Sequence, residues 1–148
     1  MKAIPDHVRE FVSSIKTIYV ATADKRGTPH MAAVQGLTLV DDERVSFTSW
    51  FCPRTVANVT ESLHVALAAW DPAQNQGYQL LGTIEKVEDV AILDGYAPGL
   101  EKPGEIPQVQ RRLFVRVDRV LDFRCGPHSD APVRVHGAHV IPLAPSHM

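Results

Sequence analysis

Apolar residues at Val8, Phe11, Val12 and Ile15 recur three and four positions apart behind Pro5, a spacing that predicts an amphipathic helix over residues 5–15. The pattern then changes. Residues 17–23 are rich in β-branched side chains and end at Asp24-Lys25-Arg26-Gly27, where a glycine able to take positive φ suits a tight turn. An extended pattern resumes over 30–40, Asp41-Asp42-Glu43 makes a second polar turn, and 45–49 alternates Val45 and Phe47 with Ser46 and Thr48, as a half-buried strand does. Pro53 stands where a helix would begin, and Val56, Val59 and Leu63 continue with helical spacing, so residues 54–62 are expected to form a short helix. Further strands are expected over 65–70 and 78–87, separated by a turn-rich loop, and over 113–123, where Leu113, Val115 and Val117 alternate with Phe114, Arg116 and Asp118. Residues 88–96 suit a short helix, and 97–107, with three prolines and two glycines, suit little regular structure.

Six strands joined mainly by short turns, with no strand-helix alternation and no repeat, point to a mainly β fold: an antiparallel barrel with short flanking helices. A domain over residues 1–124 and an extended tail over 125–148, lying on a partner subunit or partly mobile, complete the expected layout. Trp70 is expected in the core.

The length of 148 residues suits one domain, and 45% hydrophobic with 22% charged residues is the balance of a globular protein. With 15 basic against 17 acidic residues there is no overall positive field, which argues against nucleic acid or an anionic membrane as the main partner. Lys2, Asp6, Arg9 and Glu10 interrupt the N-terminal stretch, so no signal peptide is expected and the cytoplasm is the expected location. Two cysteines, Cys52 and Cys125, are too few for a disulfide framework. Cys125, His128, His136 and His139 have zinc-type chemistry, but their spacing is not a standard ligand pattern, and no metal is expected.

The segment with most chemical content is Phe47-Thr48-Ser49-Trp50-Phe51-Cys52-Pro53-Arg54-Thr55. A strand end running into a helix start offers unpaired backbone N–H groups, the hydroxyls of Thr48, Ser49 and Thr55 and the guanidinium of Arg54, a combination suited to phosphate. The plainer alternative, ordinary strand residues beside a solvated arginine, fits the local pattern as well. Cys52, near a helix start, is either a thiol of lowered pKa or an inert buried one.

Taken in order, Ile18 to Asp24 with Gly27-Thr28-Pro29-His30, Val40-Asp41-Asp42, Phe47-Thr48-Ser49 with Arg54 to Val59, Val65-Ala66-Leu67 and Gly77 to Gly82 resemble the pyridoxamine 5'-phosphate oxidase-like FMN-binding split-barrel family across residues 5–123. The resemblance implies a six-stranded antiparallel split β-barrel, a homodimer, and FMN in a groove between subunits. It aligns Thr48 and Ser49 with the strand end that meets the FMN phosphate and ribityl chain, and Arg54 with the arginine of the family's Ser-Arg-Lys motif. Thr55 stands where that motif often has lysine, so one positive charge is missing, and Cys52 and Pro53 depart from its small hydroxyl residue. Gln79 aligns with a glutamine that reaches the flavin from the neighbouring strand, Ala33 to Gln35 pass beneath the isoalloxazine ring, and Trp50 either walls the flavin or packs against the partner.

Nothing over 118–148 reproduces the paired basic residues of the segment with which true pyridoxamine phosphate oxidases bind substrate, so vitamin B6 oxidation is not expected. The expected function is that of an FMN-dependent oxidoreductase or flavin reductase acting on a small molecule, with no catalytic acid or base that the sequence identifies. A non-catalytic flavin carrier or redox-sensing module is the alternative, as is the same barrel holding haem or the deazaflavin F420.

Overall fold

The computed structural model describes residues 3–51, 62–92 and 109–133. Helix α1 (Asp6–Ser14) starts from Pro5 and turns Val8 and Val12, both fully buried, onto the sheet. Phe11 and His7 meet Tyr78 edge-on, with ring centroids 5.3 and 5.8 Å apart. The N–H groups of Ala3 and Ile4 both donate to the Asp42 carbonyl, so the leading segment is pinned to the turn before the fourth strand.

Seven antiparallel strands follow: β1 (Ile18–Ala23), β2 (Pro29–Val34), β3 (Thr38–Leu39), β4 (Arg44–Phe51), β5 (His64–Asp71), β6 (Gln76–Ile92) and β7 (Val109–Asp122). They lie in one sheet in the order β2-β1-β5-β6-β7-β4-β3. The sheet curls until β2 touches β4, but hydrogen bonds do not close that seam: the molecule is a split barrel. Its interior is filled by alternate residues of each strand, among them Ile18, Val20, Val45, Leu67, Leu80, Leu113 and Val115, all 1% exposed or less.

All six expected strands are present, and the extended stretch over 30–40 is broken in two. Gly36, at φ 77°, ends β2 and lets the chain cross to the far end of the sheet as β3. The expected turn at Asp24 forms with Gly27 at φ 87°, and Asp24 Oδ1 accepts from the N–H groups of Arg26 and Thr28, each at 2.9 Å. Residues 88–92, expected to be helical, instead continue β6, and the reason lies in the partner strand: Glu88 stands opposite Arg112 and Asp89 opposite Arg111. The Asp89–Arg111 ion pair, 2.9 Å, ties them across the ladder, and tertiary pairing overrides local propensity. Of the helix expected over 54–62, residues 54–61 lie outside the described residues, and Ser62 is not helical.

Three bulges interrupt the β6–β7 ladder, between Leu81 and Gly82, Ile84 and Lys86, and Asp89 and Ala91. Residues 125–133 return to the same chain. Cys125 N–H donates to Asn75 Oδ1 at 2.8 Å, Asn75 Nδ2 donates back to the Cys125 carbonyl at 3.0 Å, and Val133 N–H donates to the Val120 carbonyl at 2.7 Å. Trp70, expected in the core, lies at the end of β5 as a half-buried side chain edge-on to Phe123, since the interior positions of that strand are Val65, Leu67 and Ala69. Among the described residues no helix is long and apolar enough to cross a membrane.

Candidate functional site

The seam between β2 and β4 brings together most of the described candidate residues. On one lip Ala33 is exposed on β2 opposite Tyr19, and Gln35 is exposed directly after the strand, next to the Gly36 turn. On the other lip Thr48, Ser49 and Trp50 close β4, opposite Arg112, Arg111 and Gln110 of β7. Phe47 points inward and is 2% exposed, which turns Thr48 to the outer face. Arg54 and Thr55 lie outside the described residues, as does Cys52.

Thr48 is not an isolated hydroxyl. Arg112 Nε donates to its Oγ1 at 3.3 Å, so the strand end expected to meet a phosphate already carries a guanidinium. Sequence reasoning missed Arg112. The alternation of Leu113, Val115 and Val117 sets residue 112 on the outer face, but only the register reveals which residue of β4 it meets.

Gln79 lies elsewhere. It shares the outer face with Ala33, but the row across the sheet runs Ala33, Tyr19, Ala68, Gln79, with β1 and β5 between. Three strand spacings put the two residues about 14 Å apart. The next row on this face, Met31, Ala21, Ala66 and Leu81, is apolar, and Tyr19 and Met31 are 41% and 63% exposed. Beside them a cavity of about 360 Å³ is walled by Tyr19, Met31, Trp70, Phe123, Arg124 and Cys125. Trp70 Nε1, buried near it, has no hydrogen-bond partner among the described residues.

Charges at the start of β4 are arranged in a chain. Arg44 Nε donates to Glu85 Oε1 at 2.7 Å, Arg116 Nη1 meets Glu85 Oε2 at 3.2 Å, and Arg44 Nη1 reaches Asp41 Oδ2 at 3.1 Å. The Glu43 N–H, followed by Arg44, holds the Asp41 carboxyl below its ordinary pKa, and the Glu85 hydrogen bond raises that of Arg44. Among the described residues no cluster of three or more His, Cys, Asp or Glu could hold a metal ion, and His136 and His139 lie outside them.

A model of the pyridoxamine 5'-phosphate oxidase family matches residues 4–118. The chain belongs to that family. The chain is also similar to an uncharacterized protein of Methanocaldococcus jannaschii, 32% identical over 129 residues, which are 80% of this chain and 81% of the relative. Solved structures with the pyridoxamine 5'-phosphate oxidase fold include a putative pyridoxamine 5'-phosphate oxidase from Lactobacillus delbrueckii, with TM-score 0.61 and 20% identity over 82% of this chain and 95% of that one. An F420 reductase superposes with TM-score 0.56 and 18% identity over 79% and 98% of the two chains. An FMN-binding protein of Syntrophomonas wolfei does so with TM-score 0.54 and 13% identity over 82% and 91%.

Proposed function

We propose that this chain is an FMN-binding flavoprotein, a homodimeric oxidoreductase or flavin reductase acting on a small molecule. The observation that carries the reading is the pairing of Thr48 with a guanidinium on one lip of the seam, facing outward, with the small side chain of Ala33 on the other. The donor set fits the cofactor. A hydroxyl and a guanidinium suit a phosphate, and an exposed alanine on a strand leaves space for a flat ring. Bound FMN supplies two-electron transfer. The chain's own residues grip and orient: Thr48 and Arg54 toward the phosphate, Ala33 and Gln35 along the ring, with the apolar Tyr19 and Met31 keeping water from the neighbouring surface.

The homodimer is part of the proposal, and the position of Gln79 supports it if that residue reaches the flavin. Ala33 and Gln79 of one chain stand too far apart to meet one end of a flavin, whereas a second copy laid against the apolar outer face would bring its own Gln79 over. The F420 reductase with the same fold favours a second reading, the same seam holding a deazaflavin.

The spectrum of freshly purified protein is the test, followed by mass spectrometry of whatever denaturation releases. A yellow protein that bleaches with reductant and releases FMN supports the reading. Released F420 or haem moves the cofactor assignment, and a colourless protein that ignores added FMN ends it. Turnover with NADH or NADPH and an electron acceptor separates an enzyme from a carrier, which shows none.

A further inference from the structure

Arg111 and Arg112 are adjacent on β7 and face opposite Ser49 and Thr48, yet the structure uses them differently. Arg111 is neutralised: its Nε lies 2.9 Å from Asp89 Oδ1. Arg112 stands across from Glu88, but that carboxylate lies 3.6 Å from Lys86 Nζ, and among the described residues no carboxylate pairs with Arg112. Its hydrogen bond goes to a neutral hydroxyl, Thr48 Oγ1, through Nε. Among the described residues neither terminal nitrogen of the guanidinium has a hydrogen-bond acceptor, so both remain for a ligand. A guanidinium whose only partner is neutral is a poor structural brace and a good anion receptor, because charge-assisted bonds to an anion are stronger than those to a hydroxyl.

We infer that Arg112 is a phosphate ligand of the cofactor site, supplying from β7 a positive charge where Thr55 stands in place of the family motif's lysine. The inference rests on the flavin reading above and deepens it: the site selects ligands ending in a phosphate monoester. A dianion then meets the Arg112 guanidinium, with the Thr48 hydroxyl held between strand and ligand. The arrangement also accounts for the choice of residue, since an arginine can hold Thr48 through Nε and still present a fork, which lysine cannot.

Affinities for FMN and for riboflavin, which lacks the phosphate, test this when measured side by side by flavin fluorescence. The full-length chain is compared with Arg112→Gln, Arg112→Lys and, as the neighbouring control, Arg111→Gln. Arg112→Gln is expected to weaken FMN binding roughly tenfold or more while leaving riboflavin binding unchanged, the scale of a lost charge-assisted hydrogen bond. Arg112→Lys should fall between, and Arg111→Gln should match the parent for both ligands. Equal weakening of both ligands overturns the inference, because it marks Arg112 as a brace for Thr48. Unchanged FMN affinity in Arg112→Gln, with the parent still preferring FMN to riboflavin, overturns it too and leaves the flavin reading standing. A parent chain that binds neither ligand removes both. Should Arg112→Gln fail to fold, the Arg112→Lys chain gives the same comparison with its charge kept and its fork lost.

Discussion

Asp41 shows how much one carboxylate can organise at the start of a strand. Its Oδ1 accepts from the N–H groups of Glu43 and Arg44, each at 2.8 Å, and its Oδ2 meets the Arg44 guanidinium. Because its pKa is lowered in the fold, its contribution is complete above the ordinary carboxylate value and is lost as pH falls through that value to the lowered one. Asp41→Asn is therefore expected to melt below the parent near neutral pH, with the gap closing in acid, as thermal melts across a pH series will register. Gly77 is constrained from another direction: a Cβ there would press on the carbonyl oxygens of Ala69 and Phe123. Gly77→Ala should cost about 2 to 3 kcal/mol by overpacking, read from denaturant midpoints. Arg54→Ala is expected to weaken FMN binding by about 1.5 to 3 kcal/mol with little change in folding, measured by calorimetric titration. The sequence made Thr48 and Arg54 visible, since hydroxyls and a guanidinium after a strand are a local pattern. Arg112 was not visible, because its partner is 64 positions away and only strand register joins them.

The elements that sequence reveals best are those whose periodicity is their own. Helix α1 and the alternation in β4 and β7 depend on local spacing, and each forms where that spacing predicts. Residues 88–92 lack such a signal, and their extension depends on β7 lying alongside. The break at Gly36 is a similar case: glycine permits the turn, but the need to cross from one end of the sheet to the other belongs to the barrel. At this scale the turn between β5 and β6 carries a sharp prediction. Asn75 sits at φ 47° and exchanges two hydrogen bonds with the backbone of Cys125, so it fixes the turn and also fastens the segment after β7. Asn75→Ala loses both bonds and strains the left-handed residue, which should destabilise the protein by about 1 to 3 kcal/mol in urea titrations. It should also raise amide exchange at Cys125, where that N–H loses its acceptor.

At the scale of the molecule, the proposal joins the open seam to the apolar outer face: a site on the edge of a sheet that a second copy of the chain would complete. A flavin-loaded species of monomer mass in sedimentation would contradict the proposed dimer, and co-purification of flavin with dimer alone would support it. The strand order has a further outcome, for synthesis. Along the sheet β4 is held by β7, through pairs as distant in sequence as Arg44 and Arg116, and β1 is held by β5. While the chain is being made, the first fifty residues can form little beyond a helix, the β1–β2 hairpin and the short β3–β4 pairing, and β4 has to wait for its longer partner, a strand that ends at Asp122. Contacts of such long range make folding slow and cooperative. A nascent chain of this protein thus reaches the ribosome exit with β4 still lacking β7, and the corner where Arg112 meets Thr48 comes into being among the last events of its birth.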